Sequence, residues 1–239
     1  DIRTFLCARV WIGGSVAISG SAYWAGNSAS IGVRTHGREF GNFTNMLIAA
    51  DRTIVLAENP NDVRHTDHFH FSNLFLIGNA NPIVEVTNDG LAISNLLFDG
   101  YQSWNRGTYG FYWVDASAPA ESSYGISFQN VRTEQGTNTA TESFHIEVDS
   151  SAVLQDILLQ NCVMDSARPG IYMRRAERIT LDNVLYPGSA KVAIDVTAIA
   201  STYLVTTNCL FNTGSTATLT NLRAIIGTPN SPSQALFAN

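Results

Sequence analysis

The chain has 239 residues, a formal net charge of −6 and only 14 % charged residues. The acidic balance and the lack of a basic run argue against nucleic acid or an anionic membrane surface as a partner, and no apolar run is long enough to span a membrane. Three cysteines without a CxxC pair predict neither a disulfide framework nor a structural zinc site. Because the sequence begins at Asp1 rather than Met, we expect a processed product or a fragment.

In chain order, the sequence divides into three segments of one predicted domain. Residues 1–42 are rich in Gly and Ser and lack a clear repeat, which is typical of a cap or of irregular first coils. Residues 43–225 carry the repeat described next. Residues 226–239 contain two prolines and are predicted to lead away from the repeat.

The repeat is a frame of the form apolar-x-apolar-x-Asn-apolar, clearest in ILLQNC and ITLDNV. Its asparagines fall at positions 45, 73, 95, 130, 161, 183 and 208. Further segments of alternating polarity lie at 110–115, 143–149, 170–175 and 192–196. Alternating strands in units of roughly 22 residues or more predict an all-β fold, a single-stranded right-handed parallel β-helix of about seven coils.

The repeated Asn has a physical role in such a fold. Asn tolerates the left-handed backbone of a tight turn, and stacked Asn amides can bond to one another as a ladder. The frames predict that the seven asparagines form one corner of the stack. The alternative is that short frames recur by chance in an Asn-rich β-sandwich.

Two columns after each Asn are predicted to face the core. One step after Asn stand Leu96, Val131, Cys162, Val184 and Cys209, and three steps after it stand Phe98, Thr133, Met164, Tyr186 and Phe211. Cys162 and Cys209 would lie two coils apart, about 10 Å by the strand spacing. That distance is too long for a disulfide, so both are predicted to be small core residues.

The residues between these columns are predicted to face outward. Two steps after Asn, Leu97, Val163, Leu185 and Leu210 form a row that only Arg132 interrupts. Monomers rarely expose such an apolar strip. The row therefore favours a homotrimer that buries it, with cover by another part of the chain, or an error of register, as alternatives.

Four steps after Asn, three carboxylates would stack on successive coils: Asp99, Glu134 and Asp165. Like charges one strand spacing apart do not ionise equally, and the raised pKa of one carboxyl would suit a general acid. Separations of one or two coils also bracket the carboxyl distances of glycosidases. The alternative is that these acids are solvated turn residues.

On the following strand, Tyr112, His145 and Tyr172 are predicted to share one outward column, with Glu147, Arg174 and Asp195 beside it. Aromatic rings, acids and a guanidinium together are typical of a groove for a sugar chain. A long insertion at the same end of the coils, residues 99–113, carries Tyr101, Trp104, Arg106 and Tyr109 and is predicted to be a binding loop. No sequence motif predicts a cofactor, and His68 and His70 lack a third metal ligand in frame.

The Asn-centred coils, the aromatic loop and the acidic column resemble the pectate-lyase-like right-handed parallel β-helix superfamily. Within it, residues 43–225 are most similar to the tailspikes and tail fibres of bacteriophages. The resemblance implies a homotrimer in the virion tail, extracellular at work, that contacts other tail proteins and binds bacterial surface polysaccharide. The predicted function involves no nucleic acid, no membrane insertion, no cofactor and no metal.

The resemblance also implies site roles. The acid and base would be found among Asp99, Glu134 and Asp165, with Glu147 in reserve, and the glycan would be positioned by Trp104, Tyr112, Tyr172 and Arg174. The chain is short for a cleaving spike, so it is either a fragment or a protein that binds without cutting. A secreted polysaccharide lyase or hydrolase, and a structural fibre or decoration protein without activity, are the alternatives.

Overall fold

The structure is a computed structural model, and it describes part of the chain. The described residues are 16–19, 31–36, 39–58, 65–78, 82–88, 92–105, 108–115, 122–134, 142–148, 154–164, 170–174, 176–187, 194–195, 204–211, 225–226 and 235–238. Every regular element among them is a β-strand. No helix in these residues is long and apolar enough to cross a bilayer.

Twenty strands follow one another along the chain. They are β1 Val16–Ser19, β2 Ile31–His36, β3 Glu39–Ala50, β4 Arg52–Glu58, β5 Thr66–Gly78, β6 Val84–Asn88, β7 Ile93–Asn105, β8 Phe111–Asp115, β9 Ser123–Gln129, β10 Arg132–Glu134, β11 Phe144–Val148, β12 Leu154–Gln160, β13 Ile171–Arg174, β14 Ala176–Asp182, β15 Leu185–Tyr186, β16 Ile194–Asp195, β17 Leu204–Thr207, β18 Leu210–Phe211, β19 Ile225–Ile226 and β20 Ala235–Ala238.

The strands stack in parallel and alternate between two sheets, as the sequence predicts for a β-solenoid. Sheet A has the order β1-β3-β5-β7-β9-β12-β14-β17-β20, with β10 also paired to β7. Sheet B has the order β19-β16-β13-β11-β8-β6-β4-β2, and β15 pairs with β18 in a small third sheet. Parallel strands need long crossovers, and here each crossover is a strand of the other sheet.

About four turns, from β5–β6 to β12–β13, have side chains described along both strands, apart from the last residue of β7 and of β8. That is fewer than the seven expected. The parallel pairing also continues on both sides of the predicted 43–225 segment, since β1 pairs with β3 and β20 with β17.

Two columns of left-handed residues form corners at the two ends of the straight part of sheet A. The first corner contains Phe40, His68, Asn95, Gly125, Asp156 and Arg178, and the second contains Asn45, Asn73, Gly100, Asn130, Asn161, Asn183 and Asn208. All of them have φ between 50° and 73°. Gly and Asn are the residues that adopt this backbone at least cost, which explains the composition of the second corner.

Six of the seven predicted asparagines therefore mark one corner, and the prediction is wrong for Asn95. The strand register places Asn73 opposite Gly100, and Asn95 opposite His68 and Gly125 in the first corner. The Asn95 amide accordingly donates to Asp67 Oδ1 at 2.9 Å instead of to Asn73. Three rungs of the ladder are as predicted, with Asn73 donating to Asn45, Asn161 to Asn130, and Asn183 to Asn161 at 2.8 Å.

Because of that shift, the residues after Asn95 belong to other columns than predicted. Leu97 lies opposite His70 and Ser127 on the outer face of sheet A, outside the row of Val163, Leu185 and Leu210. Residues 99–105 are also part of β7, and so are not a loop. Tyr101 is 1 % exposed and belongs to the core.

The core is a stack of apolar side chains that follows the coils. Phe43, Phe71, Phe98 and Phe128 occupy one inward column of sheet A, with successive ring centroids 5.0–5.1 Å apart and nearly parallel planes. Phe111 and Phe144 meet Phe128 edge-on from sheet B. Cys162 and Cys209 are free thiols, and burial raises the pKa of Cys162 to about 12, as expected of a core residue.

We predict that Asn161→Ala destabilises the protein by about 1–3 kcal/mol. The change removes the bonds of Asn161 to Asn130 and Asn183 and places Ala at φ 53°, a conformation that costs most residues about 1–2 kcal/mol. Asn161→Gly loses the same bonds without the backbone penalty, so it should be about 1 kcal/mol more stable than the Ala variant. Denaturant unfolding measures both. Equal stability of the two variants would contradict a left-handed corner.

Candidate functional site

The candidate site is the outer face of sheet B. In β8, β11 and β13, side chains alternate between core and surface, so that one outward residue of each strand lies directly above the next. The register pairs Tyr112 with His145 and His145 with Tyr172. The aromatic column predicted from the sequence is confirmed. The sequence neighbours of these residues face inward and pack the strands against the core. Their side chains are at most 1 % exposed: Phe111, Ile146 and Met173.

The rings of this column stack on one another along the solenoid. The His145 ring lies 5.1 Å from Tyr112 and 4.7 Å from Tyr172 between centroids, with planes inclined by 24° and 15°. Tyr109, just before β8, stacks on Tyr112 at 4.7 Å. We call Tyr109, Tyr112, His145 and Tyr172 the aromatic ladder. The stacked rings of the ladder cover each other's faces. A ligand would therefore contact ring edges and polar atoms, not the open ring faces predicted from the sequence.

Two carboxylates contact the central ring of the ladder. His145 Nδ1 lies 3.1 Å from Glu142 Oε2, and His145 Nε2 lies 3.2 Å from Glu147 Oε2. A neutral imidazole donates from one nitrogen only, so both contacts are hydrogen bonds only if the group holds one additional proton. The three side chains thus form one hydrogen-bonded group, in which His145 is only 9 % exposed.

An arginine joins this unit from the next coil. Arg174 Nη1 donates to Glu147 Oε1 at 3.2 Å, since β11 and β13 place the two residues opposite each other. Both side chains are more than one third exposed. The ion pair therefore adds little stability, but it presents a guanidinium and a carboxylate to solvent beside the ladder.

The outward column ends in acids on both sides. Glu85 lies opposite Tyr112 and pairs with Arg52 at 3.1 Å. Asp195 lies opposite Tyr172, so its predicted place beside Arg174 in the charged column is wrong. The cause is the register: Ile194 pairs with the buried Ile171, so Asp195 pairs with Tyr172 of the aromatic column. Its side chain lies outside the described residues.

Burial and the carboxylates disfavour ionisation of the tyrosines. The pKa of Tyr112 is raised, chiefly by burial and then by the charges of Glu147 and Glu85. The pKa of Tyr109 is raised by burial, then by Glu142, Tyr112 and Glu147. Both phenols are therefore held in the protonated form, which can donate a hydrogen bond to a ligand oxygen.

Close packing between coils positions the segments that lead into the ladder. Phe111 N donates to Ser143 O at 2.9 Å, and Phe144 N donates to Gly170 O at 3.0 Å. Gly110 lies so close to the next coil that a Cβ there would be 2.7 Å from the Ser143 carbonyl oxygen. Glycine at this position lets the two backbones approach and brings Tyr109 and Glu142 to the site.

The structure separates Asp99 from Glu134, two of the three acids predicted to share a column. Asp99 lies on the outer face of sheet A, opposite Gln129, and accepts a bond from Asn130 at 2.9 Å. Glu134 lies opposite Trp104 on the side of the coil formed by β10. Asp99 and Glu134 thus do not share a column. The corner of the coil that contains Asp99 is Gly100, five residues after the predicted Asn95. Asp165 lies outside the described residues.

Of the other predicted residues, Glu147, Tyr112, His145, Tyr172 and Arg174 meet at the ladder. Trp104 is 41 % exposed but lies on β7, away from this face. Arg106 lies outside the described residues.

Glu142 and Glu85 were missed from the sequence. Glu85 could have been found, because VEV in β6 has the same alternation as the column of Tyr112. Glu142 precedes β11 and contacts His145 through a turn that no alternation predicts.

Among the described residues, no group of three or more His, Cys, Asp or Glu side chains could hold a metal ion. Comparisons of the chain with protein-family models, with curated proteins and with solved structures return no match. The fold and the geometry of the ladder are therefore the basis for a functional proposal.

We predict that the pKa values of Tyr109 and Tyr112 both lie above the ordinary value of about 10. Replacing Glu147 by Gln should lower the pKa of Tyr112, because an adjacent negative charge opposes formation of a phenolate. The drop should be smaller for Tyr109, which keeps Glu142 as a neighbour. A pH titration followed by NMR of the tyrosine rings measures both values.

The matched control is Glu134→Gln, which removes a carboxylate from another side of the coil. It should leave both tyrosines unchanged. An equal shift in both variants, or none in Glu147→Gln, would contradict the geometry of the ladder.

Proposed function

We propose that the chain binds a bacterial surface polysaccharide along the outer face of sheet B. One observation carries the proposal: His145 is stacked between two tyrosines while its two nitrogens contact Glu142 and Glu147. So many hydrogen-bonding groups on a rigid sheet suit a ligand rich in hydroxyls. The regular spacing of the coils suits a ligand that is itself an extended chain.

The polar atoms of the ladder define how such a ligand would be held. The protonated phenols of Tyr109 and Tyr112 donate, the carboxylates accept, and Arg174 donates to a hydroxyl or an acidic substituent. Because the ring faces are mutually covered, recognition rests on hydrogen bonds more than on sugar stacking. This differs from the binding mode expected from the sequence.

In the biological context we propose, the chain is part of a bacteriophage tailspike or tail fibre, extracellular at work and attached to other tail proteins. The parallel β-solenoid is the feature that supports this context, and the apolar outward row is the feature that supports a homotrimer. Val163 and Leu185 are half-buried and Leu210 is 61 % exposed in a single chain. Assembly of three chains along Val163, Leu185 and Leu210 would remove these side chains from water, and the earlier coils of the same column, with Phe75, Gln102 and Arg132, would lie outside that contact.

Cleavage of the glycan is a second candidate function. The carboxyl groups on the two sides of His145 are the residue types that glycoside hydrolysis uses as an acid toward the glycosidic oxygen and a base toward water. In this proposal Glu142 and Glu147 have the roles assigned from the sequence to Asp99, Glu134 and Asp165. A purely structural fibre would carry the same fold with a ladder that binds nothing.

We predict that Arg174→Gln weakens retention of the bound polysaccharide about tenfold or more, because a hydrogen bond to a charged group contributes about 1.5–3 kcal/mol. A panel of bacterial surface polysaccharides, tested by retention and by release of reducing ends and unsaturated products, provides the measurement. Reducing ends that form without unsaturated products, and that disappear in Glu142→Gln and Glu147→Gln, would indicate hydrolysis.

The matched control is Arg178→Gln, which also breaks an Arg–carboxylate pair, with Asp156, but at the first corner. It should leave retention unchanged. No interaction with any polysaccharide of a broad panel would overturn the proposal in favour of a structural fibre.

We predict a mass in solution of three chains, and a shift toward single chains in Leu210→Glu. A charge at this exposed position cannot be buried at a subunit contact without a large cost. Light scattering measures the mass. A wild-type protein that is monomeric at all concentrations would exclude the trimer and leave a monomeric secreted enzyme or binding protein.

A further inference from the structure

The asparagine ladder of the second corner is interrupted at Gly100. Asn73 donates to Asn45 at 2.6 Å, and Asn161 donates to Asn130 at 3.2 Å. Between these pairs stands Gly100, which has no side chain to continue the ladder. The side-chain amide of Asn130 donates to Asp99 Oδ1 at 2.9 Å instead. The side-chain oxygen of Asn73 therefore accepts no hydrogen bond from the corner residue of the next coil.

Packing does not require glycine at this position. A Cβ on Gly100 would meet no heavy atom closer than 3.8 Å, and that atom is the backbone nitrogen of Asn73. The φ of 67° lies in the same left-handed region as the 50–55° that Asn adopts throughout this corner. The effect of glycine is therefore to leave open the space that an amide side chain fills on the other described coils of this column.

A groove of 540 Å³ lies at this interruption. It runs along the solenoid between the corner and the outward row beside it. Its walls include Asn73, Phe75, Gly100, Gln102, Asn130 and Arg132. With Asn45, which also lines it, the groove combines the Phe75 ring, four amides and a guanidinium, which is a mixed lining suited to a small polar ligand.

The groove has an apolar ring at one end and a cationic side chain at the other. Phe75, Gln102 and Arg132 follow one another on successive coils, so Phe75 and Arg132 are about 10 Å apart by the strand spacing. Arg132 is 63 % exposed, and among the described residues its only acidic contact is Glu134, reached through Nε at 3.4 Å. The terminal nitrogens of Arg132 can therefore donate to an anionic ligand group.

We propose that this interrupted corner is a second binding site, for an acidic saccharide of about two rings. One sugar ring packs against Phe75, and one of its hydroxyls donates to Asn73 in place of the missing ladder amide. The carboxylate of the other ring accepts from Arg132. The site lies on a different side of the coil from the aromatic ladder and does not depend on the function proposed for that ladder.

The test uses cellobiuronate as an acidic probe and cellobiose as its neutral counterpart. Calorimetry should show the acidic probe binding about tenfold or more tightly, because of the charge-assisted bonds to Arg132. The side-chain amide NMR signals of Asn73 and Asn130 should shift on titration. These signals report this groove alone, so binding at the aromatic ladder would not move them.

The decisive variant is Gly100→Asn, which fills the groove and restores the ladder. It should abolish these shifts and reduce affinity about tenfold or more, while raising the melting temperature. Gly125→Asn is the matched control, because Gly125 also has a positive φ but belongs to the first corner. Its affinity should stay within about twofold of wild type. Arg132→Gln should remove the preference for the acidic probe.

Three results would overturn the proposal. One is equal affinity of the wild type for both probes. Another is unchanged binding in Gly100→Asn with its fold verified by circular dichroism. The third is a binding event that leaves both Asn signals unmoved. Arg132→Gln keeps the charge requirement testable even if Gly100→Asn fails to fold.

Discussion

The left-handed residue at each corner is the constraint on which the rest of this molecule depends. It turns the chain sharply and resets the alternation, so that an outward residue precedes the corner and an inward residue follows it, as Gln129 and Val131 do around Asn130. Repeated on every described coil, this turn keeps the inward columns in register and builds the phenylalanine stack. A corner residue that does not tolerate the left-handed conformation strains the backbone and also weakens the strand register.

Register then determines what the surface can do. Because each outward residue lies over its counterpart one coil away, side chains meet across about 5 Å without any loop to order. The contact of His145 with Tyr112 and Tyr172 arises in this way, as does the pair of Glu147 and Arg174. A site built on strands of a packed core is rigid before a ligand arrives, which lowers the entropy cost of binding.

The sequence predicts the solenoid, one corner and the aromatic column, because a two-residue period and repeated asparagines leave local signals. It fails at Asn95, since LAISNL fits the frame and LLFDGY fits it with Gly100 in place of Asn, and both contain a corner. Only spacing separates them: Gly100 divides the interval from Asn73 to Asn130 into 27 and 30 residues, close to the neighbouring steps of 28 and 31, whereas Asn95 divides it into 22 and 35. The contact of Glu142 with His145 joins residues three apart at the entry to β11, which strand alternation does not predict.

The most direct test of this account is disulfide mapping of the register on either side of Gly100. The structure places Asp99 opposite Gln129 on the outer face of sheet A, whereas a corner at Asn95 would place Ser94 there. Oxidation of the double variant Asp99→Cys/Gln129→Cys should form a bond between the two new thiols, identified by peptide mass mapping, because paired strand positions meet the geometry of a disulfide. The variant Ser94→Cys/Gln129→Cys should not cross-link. The reverse result would contradict the two-corner register and every surface derived from it.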